Sequence, residues 1–316
     1  MMALRTAAAL SRQSKWLAGY LVVCVVLYWK PLWQLLQVSL SHDTYSHILL
    51  VPFITVALVL MRPQRLSALA KGSAALAAAL ILAAVLLAFL GWKYEPQLLP
   101  GVPLALAILS LVLLVWAGVL LVYGTHVLRS LLFPLLFLLL AVPAPQFVID
   151  RLILWLQIGS ADVTYLLFRV TGTPVLRQGF VFSVPIFTIE IATECSGIRS
   201  AVALMITCLL AGYLFLRSGW ARIALLAAAV PVLVIKNGVR IVTLTLLSIY
   251  VDPGFLTGNL HREGGFLFFL IGLLILWPVL WWLQCIEAKL RNRSDTPQGN
   301  AGGGSRISPA AILPNS

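Results

Sequence analysis

Apolar stretches long enough to cross a membrane recur along this chain, and basic residues gather in every second gap between them. Eight such stretches fall at roughly 16–30, 46–62, 73–92, 102–122, 127–143, 198–216, 221–250 and 264–286. Each approaches the ~20 residues needed to cover ~30 Å of hydrocarbon as helix. Hydrophobic residues make up 61% of the 316 and charged residues 10%, too little charge to wet a soluble surface. The chain is therefore expected to be an all-α polytopic membrane protein with about eight transmembrane helices. The net charge of +12 is not a nucleic-acid footprint, because the lysines and arginines sit between apolar runs rather than beside exposed aromatics. They act instead as orientation signals.

The basic gaps hold Arg5, Arg12 and Lys15, then Arg62, Arg65 and Lys71, then Arg129, then Arg217 and Arg222, then Lys289, Arg291 and Arg293. By the positive-inside rule this alternation places both termini in the cytoplasm. No small-residue cleavage site follows the first apolar run, which reads as an uncleaved span. Three regions result: a cytoplasmic arm over 1–15, a transmembrane domain over 16–286, and a Gly/Ser/Pro-rich tail over 287–316 expected to be disordered. The long connection 144–197 is then extracytoplasmic. It opens with the amphipathic stretch 147–170, interrupted by Asp150, Arg151, Gln157 and Asp162, as for a helix at the outer interface. Residues 173–194 carry Gly, Pro and β-branched residues, expected as two short strands or an extended hairpin.

Cys24, Cys208 and Cys285 lie inside apolar runs, where a thiol packs as a small hydrophobe. Cys195 does not. It stands in TECSGIRS at the outer end of the sixth span, 22 residues, or ~33 Å of helix, from Arg217. Arg240 lies 18 residues, or ~27 Å, beyond Arg222 on the seventh span, and His261 precedes the eighth. A thiol, a guanidinium and an imidazole from distant segments thus converge on one leaflet. Cations and helix N-termini favour the thiolate, a histidine can move the proton, and an arginine can stabilise an oxyanion. No CxxC or Cys/His ligand spacing occurs, so neither a metal nor another cofactor is expected.

At these residues the chain resembles the exosortase/archaeosortase family over residues 16–286. The stretches carrying the likeness are TIEIATECSGIRS (188–200), KNGVRIVTLTLL (236–247), HREGGFLFFLIG (261–272) and, more weakly, DTYSHILLVPF (43–53). The resemblance implies a catalytic set of Cys195, Arg240 and His261. It implies a cysteine protease or transpeptidase at the outer face of the inner membrane. The expected partners are exported, membrane-anchored proteins whose C-terminal sorting signals comprise a short motif, a transmembrane helix and a basic end. Cleavage would pass through a Cys195 thioester, resolved by an amine or water.

Two residues depart from the family pattern. Glu194 replaces a small or neutral residue before the cysteine, where a carboxylate opposes thiolate formation; a salt bridge to Arg199 would offset it. Gly238 replaces a larger apolar residue. Arg199 and Asn237, each one turn from a principal residue, face the site or act as packing glue. His47 shares the leaflet as a relay or a plain interfacial histidine, Glu190 is a weaker candidate for holding substrate backbone, and His126 falls on the cytoplasmic side. Two other classes fit parts of the pattern: a serine protease using Ser196 with His261, and a transporter or flippase whose Arg240 binds an anion.

Overall fold

In the computed structural model the chain is an all-α polytopic bundle carrying one small sheet, described over residues 2–61, 74–256 and 265–294. The described helices are α1 (Met2–Leu27), α2 (Trp29–Ser41), α3 (Val51–Leu60), α4 (Ala74–Lys93) and α5 (Val102–Ser130). There follow α6 (Leu132–Phe137), α7 (Gln146–Val170), α8 (Ile198–Phe215), α9 (Gly219–Tyr250) and α10 (Gly265–Ser294). Among the described residues seven helical segments are long and apolar enough to cross a membrane. The pair Gln13–Leu27 and Trp29–Ser41, bent by 74°, makes an eighth if it counts as one span. Helix is the only open structure that satisfies its own backbone in lipid.

The expected span over 127–143 is not one helix. Helix α5 continues to Ser130 across a break at Gly124, whose φ of 81° and ψ of 179° are open to glycine. Pro134 and Pro143 each lack an N–H, and the chain after Ser130 forms only a ten-residue apolar helical piece, Leu132–Ala141. The helix expected over 147–170 is present as α7, and its 25 residues are themselves long and apolar enough to cross. At the C-terminal side α10 runs to Ser294, beyond the boundary expected at residue 287. The basic loop around Arg62, Arg65 and Lys71, His261, and the tail from residue 295 lie outside the described residues.

Among the described residues, two of the apolar cores bind the bundle around the site. One joins α8, α9 and α10 through Leu204, Cys208, Leu225, Leu233 and Leu276, with Leu156 of α7. The other packs Leu35, Ile48, Val51, Ile108, Phe137 and Tyr213. Helices α7 and α9 touch closely because each carries a glycine at the contact. A Cβ on Gly238 would lie 2.5 Å from Val163 Cγ1, and one on Gly159 would lie 2.9 Å from Val234 Cγ1. Small residues let membrane helices approach and gain dispersion contacts. Gly238, the departure from the family pattern, is thus one of the two glycines on which this approach depends.

Three short antiparallel strands follow α7: β1 (Leu176–Gln178), β2 (Val181–Ser183) and β3 (Thr188–Glu190), paired in that order. The extended segment therefore holds one strand more than the expected hairpin. The turn between β1 and β2 uses Gly179 at φ +64°. Phe182 and Ile191 bury against Phe168 of α7 and Val242 of α9, so the sheet caps the far end of both helices.

At the opposite end the α8–α9 turn is closed by Glu287 of α10. Its carboxylate accepts from the backbone N–H groups of Arg217 (3.1 Å) and Ser218 (2.7 Å) and from the Ser218 hydroxyl. Arg222 donates to the Leu216 carbonyl through Nε and Nη2, at 3.2 and 3.0 Å. Charge-assisted bonds of this kind contribute more than neutral ones. Glu287→Ala is expected to lower stability by about 1–3 kcal/mol, measured as an earlier thermal transition of the purified protein in detergent.

Candidate active site

The last strand delivers the chain to the cysteine. After β3 the Ile191 carbonyl accepts a hydrogen bond from Gln157 Nε2 of α7 at 2.8 Å, and Gln157 is buried. A polar residue that interrupts the apolar face of α7 thereby fixes the entry to the site. Residues Thr193–Ser196 form one 3-10 turn, so Cys195 stands on a turn three residues ahead of α8. Gly197 ends that turn in the left-handed region at φ +74°, and a Cβ there would meet Asn237 Oδ1 at 2.7 Å. Both its backbone and its surroundings require glycine.

Asn237 of α9 is buried beneath the turn. Its Nδ2 donates to the Ser196 carbonyl at 3.2 Å and to Ser160 Oγ of α7 at 2.9 Å. One side chain thus ties α7, α9 and the cysteine turn together, and it is not on the cavity wall described below. Ser200 Oγ donates to the Gly197 carbonyl at 3.0 Å.

A cavity of about 870 Å³ opens beside this turn. Thr193 and Gly197, which flank Cys195 at two residues on either side, line it together with Arg240, Arg199, Ser200 and Asp43. Arg240 is therefore brought to the cysteine turn. Gly265 and Phe266 of α10 line the same cavity, four and five residues after His261.

The supporting candidates separate. Arg199 pairs with Asp43 Oδ2 at 2.6 Å, both side chains being more than half exposed. Its described partner is Asp43, and a pair so exposed is worth little in stability; the side chain of Glu194, the partner expected from the sequence, lies outside the described residues. The bridge joins the DTYSH segment to the start of α8. That segment is a 3-10 helix (Asp43–Leu49) held from behind by Tyr45, whose hydroxyl donates to the Ala144 carbonyl at 2.8 Å. His47 is half-buried and is not on the cavity wall, although Thr44 and Ser46 are. Its Nδ1 lies 3.1 Å from the Thr44 carbonyl. A carbonyl can only accept, so that nitrogen carries the proton and Nε2 is left as the acceptor. Ser196, the alternative nucleophile, is 1% exposed, and its hydroxyl has no hydrogen-bond partner among the described residues. Glu190 is exposed on β3.

A family model described as transmembrane exosortase matches residues 33–278, well over half of the chain. The protein belongs to the transmembrane exosortase family. No curated protein and no solved structure matches it. The exosortase match spans the cysteine turn, Arg240, and the DTYSH segment that contributes Asp43 to the same cavity.

One buried residue bonded to the start of α8 beside the cysteine turn escaped the sequence reading. Lys236, four residues before Arg240, is only 2% exposed, and its Nζ lies 2.5 Å from Ser200 Oγ. A cation deep in a span costs about 3 kcal/mol on insertion scales. Its stem passes α10 at Gly272, where a Cβ would lie 3.2 Å from Lys236 Cδ. The signal was legible: a lysine one helical turn before an intramembrane arginine is itself a reason to suspect function.

Proposed function

We propose that this exosortase-family protein is a cysteine peptidase or transpeptidase acting on C-terminal sorting signals. Its substrates are exported proteins ending in a short motif, a transmembrane helix and a basic cluster. The observation carrying this is the cavity of about 870 Å³ that has Arg240 and both flanks of Cys195 on its wall. That volume accommodates several residues of extended peptide, in the size range of small-ligand clefts.

In this reaction the Cys195 thiolate attacks a peptide carbonyl near the motif. Arg240 balances the negative charge that develops on the carbonyl oxygen. The carbon–nitrogen bond breaks, the leaving amine takes a proton from His261, and the released helix departs. The remaining thioester is attacked by an amine or by water, which regenerates the thiol. The proposed location is the inner membrane, with both termini cytoplasmic and the cavity facing outward. This follows from the basic gaps and from a substrate that exposes its motif on that side.

The direct test is capture of the intermediate. Membranes holding the protein and a tripartite-tail substrate, quenched in acid, should yield a hydroxylamine-sensitive adduct on the peptide containing Cys195, read by mass spectrometry. A substrate that is processed while only an oxygen ester on Ser196 accumulates would overturn thiol catalysis.

A further inference from the structure

Two consecutive residues of α9 grip the two carbonyls that come after the cysteine. Asn237 holds the Ser196 carbonyl directly. Lys236 reaches the next one by relay. Its ammonium donates to Ser200 Oγ at 2.5 Å, which commits the hydroxyl proton to the Gly197 carbonyl at 3.0 Å. A lysine ammonium has donors only, so the direction of this chain is set.

Lys236 is among the largest side chains fully buried in the protein. Among the described residues no carboxylate pairs with it, because the salt bridges there join Arg177 with Asp162 and Arg199 with Asp43. The faces packed against it, Leu204 of α8 and Gly272 of α10, bring no charge. Among the described residues the other charged groups at this end include Arg240 on its own helix, the exposed Arg199–Asp43 pair on the cavity wall, and Asp150 of α7, which accepts from Gln146 Nε2 at 2.8 Å. Glu194 and His261 belong to the segments that lead into α8 and α10. A buried cation with no counter-ion among the described residues adds little to holding a membrane bundle together.

We propose that Lys236 is a positioning residue for Cys195. Acting through Ser200, it holds the backbone of the cysteine turn and supplies a second positive charge beside that of Arg240. This rests on the proposed thiol chemistry of Cys195.

Substitution separates the charge from packing. Lys236→Met keeps the length of the stem and removes the ammonium. A purely structural lysine would lose thermal stability on this change, whereas a functional one, costly to bury, leaves the thermal transition in detergent unchanged or raised. Processing of the tripartite-tail substrate should fall at least about tenfold. The rate of iodoacetamide labelling at Cys195, followed by mass spectrometry against pH, should shift its midpoint upward by about one unit, because losing a nearby cation disfavours the thiolate. That is about tenfold slower labelling near neutral pH. Lys236→Arg, which retains the charge, should keep the wild-type midpoint.

A folded Lys236→Met protein with an unmoved labelling profile overturns the proposal, whether or not processing slows. Should that variant fail to fold, Ser200→Ala decides. It removes the relay and is expected to slow processing about fivefold, the worth of one hydrogen bond; wild-type processing by Ser200→Ala then overturns the proposal. If Cys195→Ala retains activity, the thiol mechanism itself fails, a result distinguishable from a Lys236 variant that behaves as wild type while Cys195 remains essential.

Discussion

Cys195→Ala is expected to abolish processing of a membrane-anchored tripartite-tail substrate, with Ser196→Ala remaining within about twofold of the wild type. Loss of the attacking group costs at least about 10³-fold where covalent catalysis operates. The adjacent serine gives an internal control, because the two hypotheses differ by one residue. Ser196 is 1% exposed and its hydroxyl has no partner among the described residues. Removing that hydroxyl therefore breaks no described bond, and the folded protein should be as stable as before or slightly more so. Both variants are measured by the appearance of trimmed substrate in membranes containing equal amounts of protein. Full activity in Cys195→Ala would eliminate the thiol mechanism.

Asn237→Leu should be the most damaging substitution away from the cysteine. The shapes are similar, so the packing beneath Gly197 is largely kept while the amide is lost. The Ser196 carbonyl and Ser160 Oγ both lose the donor they share, at 3.2 and 2.9 Å. Each buried group left unpaired costs about 1–3 kcal/mol, so the change approaches 2–6 kcal/mol. That is a large share of the stability of an ordinary domain. The expected result is a markedly lower thermal transition together with loss of processing, even in the protein that remains folded. A variant with an unchanged transition would show that the turn does not depend on α9.

Much of this architecture was legible because lipid forces the issue. Runs such as 73–92 and 198–216 must be helical to satisfy their backbones, and α4 and α8 fall where composition placed them. Legibility failed where two local signals conflicted. Pro134 and Pro143 interrupt an apolar run whose hydrophobicity still argues for a span, and the chain resolves the conflict by shortening the helix to Leu132–Ala141. In α7 the polar residues suggested a helix facing water on one side. They divide instead: Gln157 turns inward to Ile191, while Asp162 pairs with Arg177 on the sheet. A sequence period cannot tell an inward polar contact from an outward one.

The candidate site was legible in part for a similar reason. Charge bracketing and helical rise put Cys195 and Arg240 at comparable depth, and the cavity bears both flanks of the cysteine and Arg240. The Lys236–Ser200 and Asn237–Ser196 bonds join residues 36 and 41 positions apart. Such distant bonds leave no periodic trace. The Arg199–Asp43 pair joins the start of α8 to a segment far back in the chain, and no local pattern marks it.

Helix α9 has 32 residues, about 48 Å of rise, well beyond a hydrocarbon slab of ~30 Å. Its surplus turns must stand clear of the acyl chains or lean steeply among them. Where they emerge, the three-stranded sheet lays Phe182 and Ile191 over Val242 and Phe168, so protein takes over from lipid as the dry medium. Arg240, two residues before Val242, points roughly 200° away around the helix and lines the cavity instead, so the sheet seals one side of α9 and leaves the other side open.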